Sequence, residues 1–439
     1  MTAPGVSPVA PVAVRDRALA PDVARGAMLL LIALANVHLY LYDRPLGVRL
    51  YPAGLAGADA VVAGLQMVLV DGRAYPLFGL LLGYGLGQLA ARSAAAGSEP
   101  SAVVRLIRRR GWWMVAIGVA HVVLLWSGDI VAAYGLLTAA LAGMVVTGTS
   151  VSLATTAVVG SVLGAGLGAF SGFSPRGNAP LPSIAVPDPV TAAVLRLGEW
   201  AGGTLIGSLI SVVGAVALGA WAARHRILDE PAAHRRLLGR LAVAGLVTGV
   251  LAGLPLALAT VGVWRPGLGM LLLAGSLHTL GGYAGGLGYA AAFGLLVIRY
   301  GAAASPLIRR GAAARHGVPG GRVVAGSVTV RRVVAGSVTV FAACGQRSLT
   351  CYLGQSVLFV ALLPAWTFGL GARLGVAQAA LLAVGAWLVM LLVAVVSAPA
   401  GHRGPAETLL RRLTYGATRP RGRAPSPPAP LSPPAGRRA

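Results

Sequence analysis

The first long apolar run of the chain carries two polar residues that could take part in chemistry. Arg25 opens the run and Asn36 follows eleven positions later, which in a helix puts both side chains on one face, about 16 Å apart. Polar side chains within a membrane span are costly and usually have a functional reason to be there. Alternatively, Arg25 pairs with Asp22 at the start of the helix and Asn36 bonds a neighbouring helix.

A histidine and an aspartate near the junction of two later runs form a second candidate group. His121, Leu125 and Asp129 step by four residues, so a continuous helix would place them on one face, with His121 and Asp129 about 12 Å apart. Asp129 could be a buried acid near the outer membrane interface. The sequence Ser127-Gly128-Asp129 is also typical of a tight turn, in which Asp129 would be merely a turn residue.

The ninth apolar run begins with an unusual density of hydrogen-bonding side chains. Polar groups are costly in lipid, so these side chains should face the interior of a helix bundle, where they could bind a substrate. They are Thr350, Tyr352, Gln355 and Ser356. The histidines in the arginine-rich connections have no second His, Cys or carboxylate at ligand spacing, so the sequence predicts no metal site.

Hydropathy indicates the elements that must position these residues. Of 439 residues, 56% are hydrophobic, 11% are charged and the mean hydropathy is +0.77, whereas soluble proteins have roughly 25% charged residues. The apolar runs approach the roughly 20 residues that a helix needs to cross a bilayer. The sequence therefore predicts an all-α fold, a polytopic transmembrane helix bundle of about ten spans. The predicted spans are 23–42, 75–91, 112–128, 131–149, 151–170, 201–222, 241–263, 268–298, 349–369 and 375–397.

Two segments depart from this regular pattern. Residues 59–74 are only moderately apolar and end in Asp71-Gly72-Arg73, which predicts an interfacial helix rather than a crossing. The eighth span is too long for one straight crossing and contains Gly281-Gly282 and Gly285-Gly286. Those glycines predict a tilted or broken helix.

The basic residues indicate an orientation in the membrane. The chain has a net charge of +24, with 36 arginines and no lysine. With the N-terminus inside, 29 arginines lie on the cytoplasmic side and 7 on the opposite side, as the positive-inside rule requires. The arginines cluster in connections rather than along one aromatic-interleaved face, which argues against nucleic-acid binding and favours anionic lipids as partners. We therefore predict a multi-pass plasma-membrane protein with both termini in the cytoplasm.

The membrane domain is predicted to span residues 21–416. Residues 1–20 are rich in Pro, Ala and Val, residues 417–439 are rich in Pro, Arg and Ser, and both compositions predict disorder. The nonapeptide RVVAGSVTV occurs at 322–330 and again at 332–340. Two copies are too few for a repeat architecture, so we interpret it as a duplication in a cytoplasmic loop. The sequence does not indicate an oligomeric state.

Six short motifs follow one another along this domain. They are Arg25-Gly26…Asn36, Tyr75-Pro76-Leu77-Phe78-Gly79, Arg109-Arg110…His121, Gly128-Asp129-Ile130…Tyr134, Ser348-Leu349-Thr350-Cys351-Tyr352 and Gly404-Pro405-Ala406-Glu407…Tyr415-Gly416. In this order the chain resembles the YeiB-like bacterial membrane proteins, which share domain of unknown function 418. The chain departs from the family at Cys351, where Asn is frequent, and at Ala406, where Leu is usual.

This resemblance implies no established activity. More remotely, the chain is similar to membrane acyltransferases whose first helix carries an arginine and, further along, a polar residue. That similarity implies that Asn36 would orient substrate or stabilise an oxyanion, and that Arg25 would hold an anionic donor. The donor would be acyl-CoA, a substrate, and no cofactor is implied. His121 or Asp129 would act on an envelope or lipid acceptor.

Two other classes of function stay open from the sequence. A transporter or flippase of a small solute or lipid would fit the glycine-rich eighth span, and a non-catalytic envelope or assembly protein is the third possibility. In each case an unpaired polar side chain in lipid costs a few kcal/mol. The first, third and ninth spans should therefore pack as neighbours around one cavity.

The orientation can be tested with reporter fusions. Fusions after Arg110, Arg236, Arg315 and Arg438 should report the cytoplasm, and fusions near Arg49 and Pro180 the outside, because arginine-rich connections are retained inside. An outside signal from the 92–110 connection would contradict the predicted orientation.

Overall fold

The computed structural model describes residues 18–173, 177–313, 329–398 and 403–416; for residues 302–313 and 329–335 it describes the backbone alone. The tail, nearly all of the N-terminal segment and most of the first RVVAGSVTV copy lie outside this range. The α-helices are α1 Leu19–Val37, α2 Gly57–Leu69, α3 Ala74–Ala95, α4 Pro100–Leu124, α5 Val131–Thr147, α6 Ser150–Gly168, α7 Pro182–Ala185, α8 Pro189–Glu199, α9 Leu205–Arg224, α10 Arg235–Thr260, α11 Leu268–Ala313, α12 Thr329–Gly345, α13 Ser348–Leu362, α14 Val376–Ser397 and α15 Pro405–Tyr415.

The predicted all-α bundle is confirmed. Each of the ten predicted spans coincides with a helix: α1, α3, α4, α5, α6, α9, α10, α11, α13 and α14. Within the described ranges, seven helical segments are long and apolar enough to cross a membrane, and α5, α13 and the second half of α12 are shorter apolar helices. The chain is therefore a membrane protein.

Helix α1 lies at the centre of the bundle. It packs against α3, α11, α12, α13 and α14, and Met28 and Leu29 are fully buried. A helix that is apolar on all sides can be buried on all sides. Gly26 allows one of these close approaches, because a Cβ there would clash with the carbonyl group of Phe341 on α12. Polar residues of α1 can therefore be reached from several helices.

Helices α2 and α3 are two pieces of one discontinuous crossing. The first turn of α2 lies beside the start of α14, where Asp59 Oδ1 accepts a hydrogen bond of 2.8 Å from Ala377 N. Its other end reaches the middle of α10, where Arg73 bonds the carbonyl oxygen of Gly249. Its exposed face is apolar, as in a helix surrounded by hydrocarbon; this face comprises Val61, Leu65 and Leu69.

The residues predicted as an interfacial helix, 59–74, form most of α2 and the break after it, and they belong to one segment, Gly57–Ala95, that is long and apolar enough to cross a membrane. Thirteen residues form a helix of about 20 Å, too short to cross alone, and this shortness favoured an interfacial position. In the structure α3 continues the crossing after a break of four residues, 70–73.

Of the two alternatives predicted for the eighth span, a tilted or a broken helix, the broken one is wrong, because α11 is one continuous helix from Leu268 to Ala313. Its glycines serve close packing instead. A Cβ at Gly282 would clash with the carbonyl group of Gly72, in the α2–α3 break, and Gly285 faces Gly249 of α10. Small residues let membrane helices bring their backbones together.

The contact between α11 and the α2–α3 break can be tested by adding one methyl group. Gly282→Ala should lower the free energy of unfolding by about 1–3 kcal/mol, because the new Cβ overpacks against backbone that cannot yield. Thermal unfolding of the purified protein in detergent measures this. Gly269→Ala in the same helix has nothing within 4 Å of the added Cβ and should not destabilise. Equal stabilities of the two variants would contradict the described packing.

Candidate active site

A narrow cavity lies where α1, the α4–α5 connection and α13 meet. Its free space is about that of one water molecule, so in this conformation it admits one reacting group rather than a whole substrate. The wall contains four of the residues predicted from the sequence: Asn36, Tyr352, Gln355 and Ser356. The remaining lining residues are Ile32, Ala33, Tyr40, Trp126 and Phe359. None of these nine side chains is charged.

Asn36 is held by a neighbouring helix. The hydroxyl of Tyr75, on α3, donates a hydrogen bond of 2.8 Å to Asn36 Oδ1. The backbone carbonyl of Tyr75 in turn accepts a bond of 3.2 Å from the hydroxyl of Tyr134, on α5. This bond orients the amide of Asn36, whose two N–H groups are donors on its other side.

His121 and Asp129 form a buried pair. His121 Nδ1 lies 2.9 Å from Asp129 Oδ1, and both side chains are at most 1% exposed. The second carboxylate oxygen accepts a bond of 2.7 Å from Ala132 N, in the first turn of α5. The expected separation of about 12 Å along one helix is wrong, because α4 ends at Leu124 and the chain turns back. Asp129 is thus both a turn residue and the partner of His121.

The pairing fixes how His121 presents its second nitrogen. A carboxylate accepts, so in the neutral imidazole Nδ1 carries the proton and Nε2 the lone pair. Nε2 is buried and has no hydrogen-bond partner among the described residues. The imidazole ring lies 5.2 Å, centre to centre, from the ring of Tyr352. His121 is therefore placed behind Tyr352 rather than on the cavity wall itself.

Several polar atoms around the cavity have no hydrogen-bond partner in the described part of the chain. Besides His121 Nε2, they are Trp126 Nε1, the Tyr352 hydroxyl and Gln355 Oε1. Gln355 donates through its other amide atom to Leu29 O at 3.4 Å. Buried polar groups are normally bonded, so this concentration of donors and acceptors indicates a place for a neutral polar ligand group.

Thr350 does not lie on the cavity. It fixes α15 against the start of α13: its hydroxyl donates to Glu407 Oε2 at 2.6 Å and accepts from Ala406 N at 3.1 Å. Glu407 Oε1 also accepts from Leu349 N at 2.7 Å. The carboxylate therefore satisfies free N–H groups at a helix N-terminus.

Arg25 also lies away from the cavity, near the start of α1. Its guanidinium bonds Asp22 Oδ1 at 3.2 Å and the carbonyl oxygen of Leu81 on α3 at 2.8 Å. The local pairing with Asp22, stated as the alternative for these residues, is thus what the structure shows. The side chain is 15% exposed.

The sequence reasoning missed three residues that shape the site. Tyr40 stacks on Trp126 with ring centres 4.1 Å apart. Arg196, on α8, is buried and donates to Val123 O at 2.6 Å, which caps the carbonyl end of α4 just beyond His121. One signal was present for Arg196, since it is among the few arginines on the side where arginine is scarce.

Comparison with protein families gives one assignment. The model of the family described as "Protein of unknown function (DUF418)" matches residues 222–310 and 323–417. These two stretches, in the C-terminal half of the chain, support assignment to this family. The matched stretches include Tyr352, Gln355 and Ser356, whereas Asn36 and the His121–Asp129 pair lie outside them. No curated protein matches the chain. The described residues contain no group of three or more His, Cys, Asp or Glu that could hold a metal ion.

The assignment of Thr350 to helix anchoring can be tested by hydrogen–deuterium exchange. Thr350→Val should speed amide exchange in α15 about tenfold or more, because it removes hydrogen bonds to a charged group worth about 1.5–3 kcal/mol. Ser356→Ala, six residues along on the cavity wall, should leave α15 unchanged. Unaltered protection of α15 in Thr350→Val would show that this contact does not hold the helix.

Proposed function

We propose that this DUF418 protein transfers an acyl group, within the plasma membrane, from a cytoplasmic thioester donor to a hydroxyl group of an envelope or lipid acceptor. One observation carries the proposal. The His121–Asp129 pair has the arrangement of a general base and its orienting carboxylate, and it lies beside a cavity built from polar residues of two other helices.

In the proposed step, His121 Nε2 takes the proton of the acceptor hydroxyl while that oxygen attacks the carbonyl carbon of the donor. A C–O bond forms and the C–S bond breaks, and the same proton passes from His121 to the leaving sulfur. Asp129 keeps the imidazole in the required tautomer and stabilises the imidazolium that forms. Since Tyr352 lies between His121 and the cavity, substrate binding has to move its ring.

Asn36 is proposed to stabilise the oxyanion. The bond from Tyr75 to its oxygen fixes the orientation of the amide, and a fixed N–H donor in a site that excludes water stabilises developing charge strongly. Tyr352, Gln355 and Ser356 would bind the acceptor. The uncharged lining of the cavity suits a neutral hydroxyl better than a phosphate or carboxylate.

Arg25 is the residue proposed to bind the acyl donor. By the predicted orientation it lies at the cytoplasmic end of α1, about three helical turns from Asn36. We propose that it binds the anionic part of acyl-CoA, exchanging its present bonds to Asp22 and Leu81 for phosphate oxygens. Anionic lipids would surround the arginine-rich cytoplasmic connections.

A transporter or flippase is the second candidate, and the discontinuous α2–α3 crossing favours it. Broken helices with buried polar residues line substrate and ion sites in many secondary transporters. A transporter would need the same cavity but would leave the donor unchanged.

Assay of the purified protein with labelled acyl-CoA decides between these candidates. The wild-type chain should consume the donor when a hydroxyl acceptor is present, and His121→Gln should lower kcat by about 10²–10⁴-fold through loss of the base. His225→Gln, in an exposed connection, should keep wild-type activity.

The two possible failures have different meanings. If the wild-type protein turns over no acyl-CoA, acyl transfer is wrong. If turnover is present but His121→Gln retains it, the reaction stands and the assignment of the base is wrong.

A further inference from the structure

A second polar cluster lies at the break between α2 and α3, apart from the cavity. The break contains Asp71 and Arg73, each 1% exposed. It faces the middle of α10, since Arg73 reaches the carbonyl oxygen of Gly249. Charged side chains buried among membrane helices are costly, and where they occur they often mark functional sites.

The role of Arg73 is to stabilise the break itself. It donates to the carbonyl oxygen of Met67 at 2.9 Å and to that of Asp71, and its guanidinium contacts the ring of His278 on α11. A cation at the C-terminal end of α2 also favours the helix dipole. The break is thus stabilised by Arg73 without the carboxylate of Asp71.

The carboxylate of Asp71 is partnered on one oxygen. Oδ2 accepts a bond of 2.9 Å from the hydroxyl of Tyr51, and the nearest cationic atom, Arg49 Nε, is 3.8 Å from the same oxygen. Oδ1 is buried and has no hydrogen-bond partner among the described residues. A buried carboxylate with one bare oxygen loses its desolvation cost when it takes up a proton.

The other side chains around Asp71 come from the end of α1, from α2 and from the connection between these two helices. Burial, with the Asp71 charge adding to it, raises the pKa of the Tyr51 phenol well above its ordinary value, so this hydroxyl stays protonated and donates. His38, at the end of α1, stacks on Tyr51 with ring centres 4.0 Å apart. Gln66, on α2, lies 3.5 Å from the Tyr51 hydroxyl. Arg49 is the cation closest to the carboxylate, so it controls how readily Asp71 ionises.

Arg49 also lies between the protein surface and the buried carboxylate of Asp71. Its side chain is 24% exposed while that of Asp71 is 1% exposed. Arg49 and Leu50 both have positive φ, 56° and 64°, a left-handed conformation that is unfavourable for a residue with a side chain. This short turn holds the guanidinium between the protein surface and the buried carboxylate.

We propose that Asp71 is a binding site for a proton taken up past Arg49, from the side of the membrane predicted to be outside. The carboxylate gains a proton from water and becomes a neutral carboxyl group. It then no longer attracts Arg49, and the strained turn is free to relax. In a discontinuous helix this links protonation to the position of α2 relative to α3. The site stands independently of acyl transfer.

Infrared difference spectroscopy across a pH titration tests this on the full chain in lipid nanodiscs. The wild-type protein should show the band of a protonated carboxyl group that disappears as the pH rises. Asp71→Asn should remove this band. Asp188→Asn, at the exposed start of α8, should keep it. A titration that Asp71→Asn leaves unchanged would overturn the proposal.

A second variant keeps the proposal testable if Asp71→Asn fails to fold. Arg49→Gln removes the cation that favours the ionised carboxylate, so the midpoint of the same band should move about one pH unit upward, a tenfold gain in proton affinity. A midpoint unchanged by Arg49→Gln would contradict a site controlled by this pair.

Discussion

A helix can stop halfway across a membrane only if the carbonyl groups it leaves free find partners within the protein. In this protein Arg73 meets that requirement. Its guanidinium bonds the carbonyl oxygens of Met67, in the last turn of α2, and of Asp71, in the break, and it also reaches that of Gly249 on α10. The Tyr289 hydroxyl bonds the carbonyl oxygen of Leu69, so the end of α2 is bonded although no further turn follows it. The first turn of α3 can then begin at a depth where Tyr75 meets Asn36. The geometry of the cavity therefore depends on one buried cation.

The fold also requires the helices to approach one another closely, and glycines make this possible. A Cβ at Gly83 of α3 would clash with the carbonyl group of Val216 on α9, and one at Gly219 of α9 would clash with that of Leu80. The two helices thus approach through reciprocal small residues. In lipid there is little hydrophobic gain from helix association, so such packing supplies much of the stabilisation. The apolar composition builds the spans, and the glycines decide which of them touch.

Much of the site could be anticipated from the cost of polar groups in lipid. That argument brought together Asn36, Tyr352, Gln355 and Ser356, and the structure places all four on one cavity. It failed for Thr350 because this residue lies at the first turn of a helix, where free N–H groups attract a carboxylate. The carboxylate belongs to Glu407 of α15, whose position no local pattern revealed.

The position of the helix break was misjudged for a related reason. Glycine pairs mark kinks in some helices and close contacts in others, and in α11 the pairs at 281–282 and 285–286 serve contact. The true break carried a different signal, the charged sequence Asp71-Gly72-Arg73. Two opposite charges around a glycine were interpreted as an interfacial end, because the arginine's partners lie on α10 and α11, far away in sequence.

The first turn of α3 joins the two polar sites. Arg73 ends the break and Tyr75 follows two residues later, with its hydroxyl on Asn36 and its carbonyl group bonded by Tyr134. A displacement of the break moves Tyr75 with it, because a helix turn is rigid over so short a distance. Asn36 would then lose the partner that directs its amide towards the cavity. Protonation of Asp71 and the state of the cavity are therefore mechanically connected, whichever chemistry the cavity performs.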